Sequence, residues 1–171
     1  MQKADFERSV MVHKNAMYRF AYSFLRDEDE SKDIVQEVLM KLWETRMELG
    51  EVKNIEAWCM TLTRNKSLDA IKRAGRKLSD SLDHTHDSNH STNYTPLEVV
   101  SDKESMDQVR LVTNKLPEKQ KTAFTLREIQ GFSYLEISDI MKINMNQVKV
   151  NIHRARTAIR EELTKIYSYE S

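Results

Sequence analysis

Apolar positions along this chain recur with helical spacing, and no strand-like alternation persists anywhere between the breaks. Phe6, Val10, His13, Met17, Phe20 and Phe24 step by 4, 3, 4, 3 and 4, which predicts a single amphipathic helix. Residues 27–30 form an acidic turn, and Ser31 is expected to cap a second helix striped by Ile34, Val38 and Leu42, with Val35, Leu39 and Trp43 alongside. A third helix is predicted from near Asn54 to near Gly75. It opens with Ile55, Trp58, Cys59 and Leu62 on one side and carries Lys66, Arg73 and Lys77 further along that side. Trp43 and Trp58 are expected in the core. Leu116-Pro117-Glu118 opens another helix, with Phe124, Leu126 and Ile129 as its apolar contacts, and Gly131 ends it. Ser133 and Glu136 have capping-box spacing, and Ile137, Ile140 and Met141 follow. After a short turn at 142–144, Asn144 is placed to cap a last helix whose Val148, Ile152, Ala155 and Ile159 face a core. The expectation is an all-α protein.

Residues 79–96 break the pattern. Sixteen of these eighteen are Ser, Thr, Asp, Asn, His or Pro, too little apolar surface to offset the entropy of ordering them. The stretch reads as a flexible linker, so the chain divides into an N-terminal helical bundle over 1–78, an acidic tether over 79–105 and a C-terminal helix-turn-helix domain over 106–171.

Net charge is zero, with 27 Lys and Arg against 27 Asp and Glu. The distribution carries more. Residues 64–77 hold six basic side chains against Asp69, and residues 142–160 hold five and no acid, whereas residues 79–108 hold seven acids against Lys103. Two basic helical segments on either side of an acidic tether point to a polyanion as partner. Helix, tight turn and a polar-to-basic second helix describe a helix-turn-helix. In that arrangement Asn146, Lys149 and Arg154 reach base edges, Val150 meets a thymine methyl group, and Arg156 and Arg160 grip phosphates.

Other chemistry is weakly represented. A lone cysteine excludes an intrachain disulfide and a Cys-rich zinc module, and Cys59 beside Trp58 reads as a buried thiol. His84, His86 and His90 lack a fourth ligand, so no metal site is expected. No Gly-rich phosphate loop, nucleophile–base set or supported carboxylate pair is present, so an enzyme is not expected, and no cofactor is expected either. The longest apolar run, residues 57–60, is far too short to span a bilayer, so no membrane insertion is expected and the protein is read as soluble and cytoplasmic.

Asp33-Ile-Val-Gln36-Glu37-Val, then Trp43, Ala57-Trp58, Arg64-Asn65-Lys66-Ser-Leu-Asp69 and a basic run resemble the first conserved domain of bacterial sigma factors, above all the small extracytoplasmic-function group. Leu116-Pro-Glu-Lys-Gln, Leu126-Arg-Glu-Ile-Gln-Gly-Phe-Ser-Tyr-Leu-Glu-Ile and Val148-Lys-Val-Asn-Ile-His-Arg-Ala-Arg resemble the other. The resemblance implies a subunit that binds core RNA polymerase and directs promoter-specific initiation. It would dock Asp33, Gln36 and Glu37 on the clamp helices of the largest polymerase subunit, with the flap of the second largest as a further contact. Asn65, Lys66, Arg73, Arg76 and Lys77 would contact the −10 element, while the 44–54 loop holds an unstacked base. Asn146, Lys149, Val150, His153, Arg154 and Arg156 would serve the −35 element. An anti-sigma factor is an implied partner. A stand-alone helix-turn-helix regulator and a helical adaptor are the alternatives, distinguished by tight binding to duplex alone and by no binding to DNA.

Overall fold

A computed structural model describes residues 2–81 and 102–169, with side chains over 2–77 and 107–169. The tether residues 82–101, with His84, His86 and His90, lie outside the described residues. Among those described, every regular element is helical: α1 (Lys3–Ser9), α2 (Lys14–Leu25), α3 (Glu28–Glu44), α4 (Ile55–Ser81), α5 (Asp102–Asn114), α6 (Glu118–Phe124), α7 (Tyr134–Met141) and α8 (Met145–Tyr169). None is long and apolar enough to cross a membrane.

The apolar run that begins at Phe6 is two helices, not one. A 3₁₀ turn at Met11–His13 interrupts it. The break buries Val10 completely and turns α1 so that Phe6 meets the edge of Trp43, with ring centroids 5.1 Å apart. Arg26 ends α2 in the left-handed conformation, φ 57°. Because the chain has already turned there, the cap of α3 falls on Asp27, whose carboxylate accepts from the Glu30 amide at 2.8 Å. Ser31, expected as the cap, instead sits buried one turn inside the helix and donates to the Asp27 carbonyl.

Helix α4 runs through Gly75 to Ser81. Nothing lies within 4 Å of where a Gly75 side chain would start, so no packing feature stops the helix there. Strong helix formers on both sides outweigh roughly 1 kcal/mol of glycine penalty. Helix α5 likewise opens at Asp102, so both helices extend into the stretch 79–105.

Met17, Phe20, Val38, Leu42, Leu49 and Met60 are fully buried where α2, α3 and α4 meet. Truncating one of them to alanine costs about 2–5 kcal/mol. That core is continuous with Leu126, Phe132, Ile137, Ile140, Val148 and Ile152 of the C-terminal half. A smaller cluster of Val112, Phe124, Ala155 and Ile159 fastens α5 and α6 to α8. The N-terminal bundle and the helix-turn-helix therefore pack directly on one another, chiefly through α4 against α7.

Candidate nucleic-acid and partner interface

The C-terminal half builds its helix-turn-helix from two capped helices. The Ser133 hydroxyl accepts from the Glu136 amide, and the Glu136 carboxylate accepts from the Ser133 amide at 2.8 Å, a complete capping box. Those bonds hold the Glu136 carboxyl below its ordinary pKa. Lys142 closes α7 in the left-handed conformation, and the Ser138 hydroxyl donates to the Ile143 carbonyl across the turn. Asn144 and Gln147 then exchange side-chain-to-amide bonds of 2.9 and 3.0 Å to start α8. With Val148, Ile152, Ala155 and Ile159 buried as their spacing requires, Asn146, Lys149, Val150, His153 and Arg154 stand exposed along α8. Lys149 and Arg154 form no ion pair among the described residues.

Arg156 behaves differently from its neighbours. Its guanidinium donates to the Glu128 carboxylate, which keeps its pKa raised, so this arginine is held by its own protein. Glu128 lies in a π-helical turn at Thr125–Ile129, which leaves Leu126 buried and Ile129 half-exposed rather than in contact with the core.

In the N-terminal half, Lys66, Arg73, Arg76 and Lys77 are exposed along the outer half of α4, and Asn65 lies beside them. Asn65 accepts from Arg64 at 3.2 Å, and Arg64 also reaches Glu118 of the C-terminal half at 3.3 Å. Lys66 pairs with Glu37 at 2.7 Å. The hydrogen bond from Lys66 lowers the pKa of Glu37.

That pairing divides the three polar residues of α3. Asp33 and Gln36 line an open groove of about 570 Å³ with Lys14, Tyr18 and Leu39, between α2 and α3. Glu37 turns the other way, towards α4. Met40 extends the exposed stripe of α3 and is 63% accessible, an apolar contribution that the polar signature of the helix did not announce.

Neither tryptophan is buried in the core. Trp43 and Trp58 are 37% and 38% exposed. Trp43 is sandwiched between Phe6 and the Arg46 guanidinium, 4.3 Å from its ring centre. Trp58 lines a hollow of about 120 Å³ with Leu49, Val52 and Leu62, at the 3₁₀ turn Glu48–Glu51 ahead of α4. An indole on an amphipathic helix carries no sign in its spacing of which side meets solvent. Cys59 is fully buried, and burial pushes its thiol up to about 12.

The two halves are stitched by polar contacts as well as by the shared core. Asn54 accepts from the Ala57 amide at 2.9 Å as the cap of α4, and its amide nitrogen donates to Glu136 at 2.8 Å. A single hydrogen bond thus joins the caps of α4 and α7. Gln130 donates to the Ala16 carbonyl at 3.4 Å, and the Lys121 ammonium lies 4.4 Å over the Phe24 ring.

Two models of one family match this chain: "Sigma-70 region 2" over residues 10–77 and "Sigma-70, region 4" over residues 106–159. The chain is 25% identical over 161 residues to the ECF RNA polymerase sigma factor SigE of Mycolicibacterium smegmatis, covering 94% of this chain and 62% of that protein. It is 26% identical to the ECF RNA polymerase sigma factor SigW of Bacillus subtilis, covering 90% and 86% of the two chains. Among solved structures, the sigma factor RpoE in complex with the anti-sigma factor NepR from Bartonella quintana superposes with a TM-score of 0.74 at 27% identity, over 94% of this chain and 97% of that one. CnrH in complex with the cytosolic domain of CnrY shares the fold, with a TM-score of 0.70 at 20% identity over 96% and 90%.

Proposed function

Because the chain belongs to the sigma-70 family, in its extracytoplasmic-function group, we propose that it joins core RNA polymerase and directs it to promoters as an initiation factor. The observation that carries this reading is the pairing of a region 2 bundle with a doubly capped helix-turn-helix whose exposed face is basic. In this reading the protein works in the cytoplasm and its part is not catalytic. It assembles and positions.

Asp33 and Gln36, with Met40 extending their stripe, dock on the clamp helices of the largest subunit, and Glu37 joins them when Lys66 releases it. The C-terminal domain, residues 106–171, meets the flap of the second-largest subunit. Asn65 contacts the −10 element, and Lys66, Arg73, Arg76 and Lys77 follow its backbone, which makes binding salt-dependent. The hollow beside Trp58 accepts an unstacked base. Stacking there contributes about 1–3 kcal/mol, comparable to the cost of pulling the base from the duplex. Asn146, Lys149, Val150, His153 and Arg154 read the −35 element, and Arg156 turns from Glu128 to a phosphate.

The packed arrangement of the free chain sets a condition on this work. Elements about 25 base pairs apart are separated by roughly 85 Å of duplex. Helix α4, 27 residues long, spans about 40 Å, and the two halves here share one core. Promoter engagement therefore requires the halves to separate. The 20 residues between Ser81 and Asp102 can bridge up to about 70 Å, enough for that separation. A partner of the NepR kind, an anti-sigma factor, holds the protein inactive until it is needed.

In vitro transcription with core polymerase on a genomic library, with and without the protein, tests the reading. New, discrete start sites that appear only with the protein are expected. Failure of the protein to co-elute with core polymerase overturns it, and tight sequence-specific binding to duplex without polymerase marks a self-sufficient regulator instead.

A further inference from the structure

Where the two halves meet, a partly enclosed cavity of about 320 Å³ opens between α2, α5, α6 and the π turn. That volume holds about ten methyl- or water-sized groups. Its walls are mostly the apolar parts of Val109, Phe124 and Ile129 with the stems of longer side chains.

The charges around it are unbalanced. Arg19 and Arg26 from α2, Arg110 from α5 and Lys121 from α6 all line the cavity, and Glu128 is the one acid among the lining residues. Glu128 is committed to Arg156, and Arg110 to Asp107 at 3.0 Å. Arg19 and Arg26 have no ion pair among the described residues. Lys121 is 8% exposed and among the described residues its ammonium meets only Asn114 and the Phe24 ring, so burial, with Arg26 adding repulsion, lowers its pKa to about 8. The Thr125 hydroxyl, 1% exposed and lining the same cavity, has no hydrogen-bond partner.

Local costs converge on the same place. Arg26 holds a left-handed φ of 57°, and Thr125–Ile129 forms a π turn, a geometry that recurs at functional sites. An apolar cavity rimmed by unpaired cations, with an orphan hydroxyl in its wall, is complementary to an anion that carries a short apolar body.

We propose that this cavity is a binding site for a small amphipathic anion, a carboxylate or phosphate headgroup on a chain of about eight to ten carbons. The headgroup sits between Arg19, Arg26 and Lys121 and the chain lies along Phe124 and Ile129. Because its walls come from both halves, the ligand favours the packed arrangement and acts as a glue between them. The site does not depend on the polymerase reading.

Isothermal titration of the full chain with decanoate and with decyl phosphate, each below its micelle concentration, tests this, with decanol and acetate as the neutral and the headgroup-only controls. One molecule per chain is expected, with a raised Tm. Decanoate alone binding identifies a carboxylate ligand, decyl phosphate alone a phosphate ligand, and both binding leaves the shared chemistry as stated. Arg19→Gln with Arg26→Gln should weaken the binding probe by about tenfold or more. Lys121→Met, which keeps an unbranched apolar stem over Phe24, should weaken it likewise, and circular dichroism checks that each variant stays helical. Non-saturating heat, decanol binding as well as the anions, or anion affinity unchanged in both helical variants overturns the proposal.

Discussion

Glu37 on α3 and Lys66 on α4 close an ion pair of 2.7 Å, with about half of each side chain exposed. A carboxylate proposed for polymerase docking and an ammonium proposed for DNA tracking thus neutralise each other in the free protein. An exposed pair of this kind contributes about 0.2–1 kcal/mol and is screened by salt, so it is easily exchanged for better partners. The two proposed surfaces are coupled through it.

Lys66→Met should return the Glu37 pKa towards the ordinary carboxylate value while lowering stability by less than about 1 kcal/mol. The sign follows from the depressed pKa. The pair's contribution is present above the unfolded carboxylate pKa and is lost as pH falls through the folded one. A carbon-detected NMR titration of the Glu37 carboxyl, in wild type and variant, measures it.

Asn54→Asp separates the two roles of that residue. An aspartate still caps α4 by accepting from the Ala57 amide, but it has no proton to give Glu136 and sets a second carboxylate beside it. The halves should loosen while helix content is kept. Small-angle X-ray scattering should report a larger radius of gyration for the variant at low salt, with an unchanged far-ultraviolet spectrum.

Lys121 makes the packed arrangement sensitive to alkaline pH. It is faced by Arg19 and Arg26 from α2, Arg110 and Asn114 from α5, and Glu128 from the π turn, the last already paired with Arg156. Its pKa falls from 10.5 to about 8 in the folded chain. The penalty of burying the charged form applies below about pH 8 and fades as pH rises through it, while the unfolded lysine stays charged to about 10.5. This side chain's contribution to stability should therefore increase between pH 8 and 10. Urea midpoints at the two pH values, compared with Lys121→Met, isolate it, because the methionine variant should lack the increment.

Gly75→Ala should stabilise the protein by about 0.5–1 kcal/mol, since the site is helical, exposed and open. Thermal unfolding followed by circular dichroism checks this.

Lys149→Ala with Arg154→Ala should reduce transcription from a cognate promoter while leaving polymerase docking intact. Asp33→Ala with Gln36→Ala should do the reverse, weakening co-elution with core enzyme. Parallel gel-filtration and run-off assays separate the two outcomes.

The helix-turn-helix was legible in the sequence because every one of its determinants is local. Ser133 with Glu136, and Asn144 with Gln147, sit three residues apart, and the buried stripe of α8 repeats at 4, 3 and 4. What escaped the sequence is what joins distant segments. Asn54 and Glu136 each have a local capping role that accounts for them fully, so nothing in either points to the bond between them across 82 positions. The π turn has no residue signature of its own, and it is what moves Ile129 outwards. Asp27 and Ser31 both satisfy the preference for a cap, and the left-handed turn at Arg26 decides between them. Trp43 and Trp58 have the spacing of core residues yet keep more than a third of their surface exposed, because an aromatic stripe at a helix edge can serve a core or a partner equally well.

The sealed position of Cys59 decides what thiol chemistry is open to this chain. A sulfhydryl with a pKa near 12 and no accessible surface offers almost no thiolate to peroxide or to a disulfide at neutral pH. Cys59 therefore cannot act as a thiol switch while the fold is intact, and direct oxidation falls instead on exposed thioethers such as Met40.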